Sequence, residues 1–186
     1  MMEPSLDAFV AHIAGALDSV GVPYVIVGSY ASSSVGRARA TQDVDLVVRL
    51  RRVQVAELAR HFPEDRYYFD QEMACEAVRR GSMFNVIDLE SSWKADFIIA
   101  ANRLSHEEID RAWALEVGGR SVRVATAEDT IIAKMDWSKR TGSERQLEDV
   151  AGILETPGTL RKRGWWEDEH GRKSPLMPRR KRLSVG

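Results

Sequence analysis

An α/β (α+β) fold, a mixed β-sheet flanked by helices, is predicted by three observations. Short β-branched and aromatic runs recur at 22–28, 43–50, 84–90 and 93–100. Apolar residues at three- and four-residue spacing fill much of the sequence between and after these runs. A chain of 186 residues with 44% apolar content is large enough to bury one core without staples.

The elements follow in order. Ser5, then Leu6, Phe9, Val10, Ile13 and Leu17, read as an amphipathic helix ending near Gly21. VPYVIVG (22–28) has the pattern of a buried strand closed by glycine, and SYASSSVGRARATQ (29–42) that of a short helix start followed by a loop. In DVDLVVRL (43–50), period-2 alternation places Asp43, Asp45 and Val47 on one face of a strand and Val44, Leu46 and Val48 on the other. Residues 53–80 read as two helical stretches parted by Pro63, the first carrying Val55, Leu58, Ala59 and Phe62 and the second Met73, Ala77 and Val78. FNVIDLE and WKADFIIA are predicted to form a hairpin across Ser91-Ser92.

Further on, Ser105 and Glu108 stand at the capping-box spacing that starts a helix. ALEVGGRSVRVA predicts a hairpin turning on Gly118-Gly119. Thr126 is positioned to cap a helix over TAEDTIIAKMDWSK, and SERQLEDVAGILE predicts another with Leu147, Val150, Ala151 and Leu154 as its apolar stripe. Pro157-Gly158 then ends the ordered part. The expected organisation is one domain, 1–156, with its core in 20–156, and a C-terminal tail, 157–186, docked or mobile.

Charge is divided between these parts. The tail carries nine Lys or Arg against three acids, +6, which leaves −7 on residues 1–156 of the total of −1. A basic tail on an acidic body suggests contact with RNA, DNA or an acidic partner, a solvated terminus being the plainer reading. Cys75 is the only cysteine, so no intramolecular disulfide forms. The acidic N-terminus lacks signal-peptide order, and no apolar run approaches the roughly 20 residues of a membrane span. A soluble, cytoplasmic protein with no membrane partner is expected.

The chemistry-bearing pattern is Gly28-Ser29, thirteen intervening residues, Asp43-Val44-Asp45, and the distant Asp96. All three aspartates fall on predicted strands, where an unpaired buried carboxylate costs several kcal/mol. A divalent cation offsets that cost. Asp43 and Asp45 share a face about 6.6 Å apart. If the sheet brings Asp96 alongside, the result is an oxygen-only site suited to Mg²⁺ or Mn²⁺ and not to zinc. Gly28-Ser29, where a strand turns into a helix, offers backbone N–H groups and a hydroxyl to phosphate oxygens.

This pattern resembles the DNA polymerase beta-like nucleotidyltransferase superfamily. More narrowly, RATQDVDL (39–46) with AEDTIIAKMDW and RQLEDVAGIL is similar to the AbiEii-like branch of toxin-antitoxin nucleotidyltransferases, over about residues 20–156. The resemblance implies the nucleotidyltransferase fold and transfer of NMP from NTP to an acceptor hydroxyl, with release of pyrophosphate. It implies Asp43 and Asp45 as Mg²⁺ ligands, and Asp96 as ligand or general base. It further implies nucleotide contacts at Gly28, Ser29, Arg39 and Lys134, with Asp149 supporting the site. The partners implied are a nucleoside triphosphate, tRNA as acceptor and a cognate antitoxin.

A DxD pair alone is common at strand ends; the upstream Gly-Ser, the RxTxDxD form and the strand-borne Asp96 together carry the reading. Three alternatives stay open: a small-molecule, aminoglycoside-type nucleotidyltransferase, one that modifies protein hydroxyls, and a degenerate fold acting as a binding module. Lys134 also reads as an exposed helix lysine, and Asp149 as a partner of Arg145 one turn away. Arg37 and Arg39 also read as loop solvation. His12, His61, His106 and His170 have no zinc spacing and read as structural. Trp165 and Trp166 beside Arg161, Lys162 and Arg163 fit base stacking only loosely.

Overall fold

The computed structural model describes residues 5–35, 42–156, 165–167 and 173–175; Arg37, Arg39, Arg161, Lys162, Arg163 and His170 lie outside them. Helix α1 (Leu6–Ser19) starts on Ser5, whose side chain accepts a hydrogen bond from the Ala8 amide. Strand β1 (Tyr24–Val27) runs into α2 (Gly28–Val35), and β2 (Asp43–Val48) follows. A 3-10 turn (Arg52–Gln54) leads into α3 (Val55–Ala59), β3 (Tyr67–Phe69), α4 (Gln71–Arg80), β4 (Met83–Asp88) and β5 (Lys94–Ile99). Then come α5 (Arg103–Arg111), β6 (Trp113–Val117), β7 (Arg120–Val124), α6 (Ala127–Thr141) and α7 (Glu144–Glu155). Two short strands, β8 (Trp165–Glu167) and β9 (Lys173–Pro175), pair with each other.

Strands β1 to β7 form one mixed sheet in the order β3-β4-β5-β2-β1-β7-β6. The β1–β2 and β4–β5 pairs are antiparallel, whereas β2–β5 and β1–β7 are parallel. Val25, Ile26, Val44, Leu46, Phe97, Val122 and Val124 are buried in the sheet, and Val10, Ile13 and Leu17 of α1 are buried with them in one core. Each such side chain contributes about 1.5–3 kcal/mol by leaving water. On β2 burial alternates over the first half of the strand, with Asp43 exposed, Val44 buried, Asp45 half-buried and Leu46 buried, and then both faces are covered at Val47 and Val48.

The hairpins form for identifiable reasons. The buried Asp88 carboxylate accepts hydrogen bonds from the Glu90 and Ser91 amides at 3.0 and 3.4 Å, closing the β4–β5 turn, and Ser92 takes a left-handed φ of 63°. Gly118 and Gly119 both adopt positive φ, 55° and 77°, as a two-residue turn matched to strand twist requires.

Four details differ from the expectation. The 53–80 region contains an unforeseen strand, β3, whose aromatic run Tyr67-Tyr68-Phe69 pairs with β4 at the sheet edge. On α4 the buried positions are Ala74 and Ala77, while Met73 is 50% exposed, its sulfur accepting from the Tyr68 hydroxyl at 3.7 Å. Helix α5 begins earlier than Ser105: Asn102 is its cap, accepting from the Ser105 amide at 3.0 Å, which leaves no capping box with Glu108. On α7 the buried face is Val150, Gly152 and Ile153, with Leu147 and Leu154 outward. That rotation brings Asp149 and Gln146 toward α6.

The start of α6 is fixed by Asp129. Its carboxylate accepts two hydrogen bonds from the Arg111 guanidinium, at 3.1 and 2.7 Å, and one from the Thr126 hydroxyl, while Thr126 caps the helix through the Asp129 amide. Glu108 stands behind this pair. Burial, then repulsion from Asp129, pushes its carboxyl up to about 7, against the pull of Arg111. The folded-state value lies above the unfolded one, so the stability tied to this proton is complete below the ordinary glutamate range and lost as pH rises through about 7. Glu108→Gln is therefore expected to gain urea stability over wild type progressively from pH 5 to pH 8, reaching about 1–2 kcal/mol at pH 8 after allowing for solvent screening.

Candidate active site

Two strand registers build the site. Antiparallel pairing sets Val27 opposite Asp45, at the point where β1 passes into α2. Parallel pairing sets Asp43 beside Lys94 and Asp45 beside Asp96. Directly paired residues share a face, so Asp43, Asp45, Lys94 and Asp96 all stand on one side of the sheet. Gly28 closes the edge of this group at a φ of 67°, and a Cβ there would fall on the Asp45 carboxylate. Only glycine fits, for both reasons.

The carboxylates differ in environment. Asp43 is exposed and Asp45 half-buried, while Asp96 is only 8% exposed. The Lys94 ammonium donates to Asp96 Oδ2 at 3.0 Å and lies 3.9 Å from Asp43 Oδ1. Asp96 Oδ1 is buried and has no hydrogen-bond partner among the described residues. Burial, and then the neighbouring charges of Asp96 and Asp43, raise the Asp45 carboxyl above its ordinary range; Lys94 and Lys134 oppose this.

Among the described residues no three His, Cys, Asp or Glu groups stand as a ready-made metal set. The donor chemistry fits a hard divalent cation: three carboxylates on one face, one of them holding a buried oxygen without a donor among the described residues. The described histidines, His12, His61 and His106, are bonded elsewhere. His12 and His61 hydrogen-bond to a backbone carbonyl and to Ser19 respectively, and His106 accepts from Arg49.

Ser29 is half-buried in the first turn of α2, next to Gly28. Its backbone carbonyl accepts from the Ser32 hydroxyl. Lys134 is not on an exposed helix face: it is 5% exposed, and its ammonium donates to Asp149 Oδ2 at 2.7 Å and to Gln146 Oε1 at 3.2 Å. The two residues named by resemblance thus form one buried pair across the α6–α7 hairpin, close enough to Asp45 for the lysine charge to be felt there. Arg39 lies outside the described residues.

Sequence reading overlooked Lys94. The signal was present, since Lys94 precedes Asp96 by two residues in WKADFIIA and so shares its face. What the sequence lacked was the partner strand, which sets Lys94 against Asp43.

No protein-family model matches this sequence, and no curated protein is significantly similar to it. Its fold is similar to that of an antigenic nucleotidyltransferase-like protein from Paracoccidioides brasiliensis, with a TM-score of 0.52 and 17% identity, covering 80% of this chain and 73% of that one. It is similar also to the antibiotic-resistance factor ANT(2'')-Ia, with a TM-score of 0.50 and 18% identity over 82% of this chain and 84% of that one. A proposed nucleotidyltransferase from Thermotoga maritima matches at 0.52 and 13% identity, over 80% and 94% of the two chains. At these identities the likeness is one of fold, and the chain has the mixed α/β fold of these proteins.

The Lys134–Asp149 pair generates a test. Lys134→Ala, which removes the buried cation from the half-buried Asp149 carboxylate, is expected to lower unfolding free energy by about 2–4 kcal/mol, while Lys134→Met with Asp149→Leu recovers most of the loss. Chemical denaturation of both variants measures this directly.

Proposed function

We propose that the protein is a Mg²⁺-dependent nucleotidyltransferase that moves NMP from NTP to an acceptor hydroxyl with release of pyrophosphate. One observation carries the reading: the sheet register lines up Asp43, Asp45 and Asp96 on one face beside the Gly28 turn, with Asp96 Oδ1 buried and without a hydrogen-bond partner among the described residues.

In this reading Asp43, Asp45 and Asp96 hold the divalent cation. When bound, the cation supplies charge neutralisation on the triphosphate and Lewis acidity at the α-phosphorus. The chain's own groups do the rest. The first N–H groups of α2 lack intrahelical partners and, with the Ser29 hydroxyl, receive the β and γ phosphate oxygens. Arg39 and Lys134 add positive charge toward the phosphates. Lys134 does so from its buried place on Asp149, which holds its position.

The acceptor oxygen forms a bond to the α-phosphorus, the bond from that phosphorus to the oxygen bridging the β-phosphate breaks, and pyrophosphate leaves. The hydroxyl proton passes to a carboxylate, for which Asp96 is the assigned base.

The acceptor we assign is tRNA, and the biological role that of a toxin neutralised by a cognate antitoxin. The resemblance of RATQDVDL, AEDTIIAKMDW and RQLEDVAGIL supports this, as does the +6 charge of residues 157–186 facing a polyanion. A second reading, a cationic aminoglycoside as acceptor, is favoured by the fold likeness to ANT(2'')-Ia and by the −7 charge of residues 1–156.

Incubation with Mg²⁺, each of four α-labelled NTPs and either total tRNA or an aminoglycoside panel tests both. Label is expected in tRNA, and Asp45→Asn is expected to reduce it by roughly 10²–10³-fold or more. Label in the aminoglycosides alone would select the second reading. No transfer to either, with no metal-dependent NTP binding, would contradict the enzyme and leave a binding module.

A further inference from the structure

We propose that Lys94 is a resident counter-cation of the carboxylate group, which holds Asp43 and Asp96 together in the metal-free chain and yields when a divalent cation enters, thereby setting the affinity of the site. The inference rests on the reading of these carboxylates as metal ligands.

The geometry is specific. Parallel pairing puts Lys94 directly beside Asp43, and alternation puts it on the same face as Asp96, two residues along its own strand. Its ammonium lies at hydrogen-bonding distance from Asp96 Oδ2, 3.0 Å, and at the longer 3.9 Å from Asp43 Oδ1, so it bridges the two strands by charge. It serves only one Asp96 oxygen: Oδ1 of the same carboxylate is buried without a donor among the described residues. One ammonium therefore half-satisfies an acid that a multivalent cation would satisfy in full.

An ammonium and a divalent cation cannot share this position without strong repulsion, since both need the same oxygens. Lys94 is built to move. Its side chain is 33% exposed, and its four-carbon stem lets the charged end swing toward water while the strand stays fixed. The consequence is a threshold: a cation must displace a charge already seated, and the site resists filling by cation alone.

The test is a Mn²⁺ titration of the full chain, read by calorimetry and by the loss of the free-ion paramagnetic signal. Lys94→Met, which removes the competing charge, is expected to bind Mn²⁺ about ten-fold or more tightly than wild type. Lys94→Arg keeps the charge and is expected to stay within about two-fold of wild type. Lys94→Gln, a polar replacement, should follow Lys94→Met and guards against loss of folding in the first variant. In thermal melts Mn²⁺ should raise the midpoint of Lys94→Met and Lys94→Gln more than that of wild type.

Folded Lys94→Met and Lys94→Gln with wild-type or weaker Mn²⁺ affinity overturn the proposal. If Asp45→Asn abolishes Mn²⁺ binding and the Lys94 variants do not alter it, only the role of Lys94 falls. If no variant and no wild-type protein binds Mn²⁺ in an Asp45-dependent way, the metal reading falls and takes this one with it.

Discussion

The structure turns on the side-by-side placement of Asp45 and Asp96 on neighbouring parallel strands. Paired positions lie about 5 Å apart, and two carboxylates at that distance repel by about 3 kcal/mol at an effective dielectric near 20. Desolvation of the half-buried Asp45 adds to this. Nothing in folding favours such an arrangement for its own sake. Several neighbours respond to it: Gly28 leaves room for the Asp45 carboxylate, Lys94 spans Asp43 and Asp96, and the charge of the buried Lys134 reaches Asp45 from the next layer.

That outer layer is itself held by charge. Helix α6 is pinned at its start by the Arg111–Asp129 pair and the Thr126 cap, and in its middle by Lys134 on Asp149 and Gln146 of α7. Its end is closed by the Ser138 hydroxyl on the Ser143 carbonyl. Three fixed points over four turns make the α6–α7 hairpin a rigid wall, and α2, which carries Gly28 and Ser29, packs against both of its helices. Strand register, helix start and buried lysine are thus parts of one mechanical unit around the carboxylates.

Much of this was legible in the sequence. The alternation of DVDLVV dictated which aspartates share a face, the Gly118-Gly119 pair dictated a hairpin, and Thr126 three residues before Asp129 dictated a cap. Each is a local rule with a short range. What escaped was set by partners far along the chain. Tyr67-Tyr68-Phe69 becomes a strand only because β4 offers an edge, and at three residues it carries too little pattern to announce itself. Asn102 outcompetes Ser105 as the α5 cap because the chain leaves β5 in extended geometry just before it. On α7 Val150 of the expected stripe is buried, but Leu147, Ala151 and Leu154 face outward and Ile153 takes their place, in a rotation that turns Asp149 and Gln146 inward onto Lys134.

Convergence of Asp43, Asp45 and Asp96 on one divalent cation beside the Gly28 turn is tested by anomalous scattering from crystals grown with Mn²⁺ and a non-hydrolysable NTP analogue. An anomalous peak is expected at about 2.0–2.3 Å from oxygens of the three carboxylates, with triphosphate oxygens at the start of α2. Nucleotide bound elsewhere, or Lys94 still seated between Asp43 and Asp96 with no metal peak beside them, would contradict it.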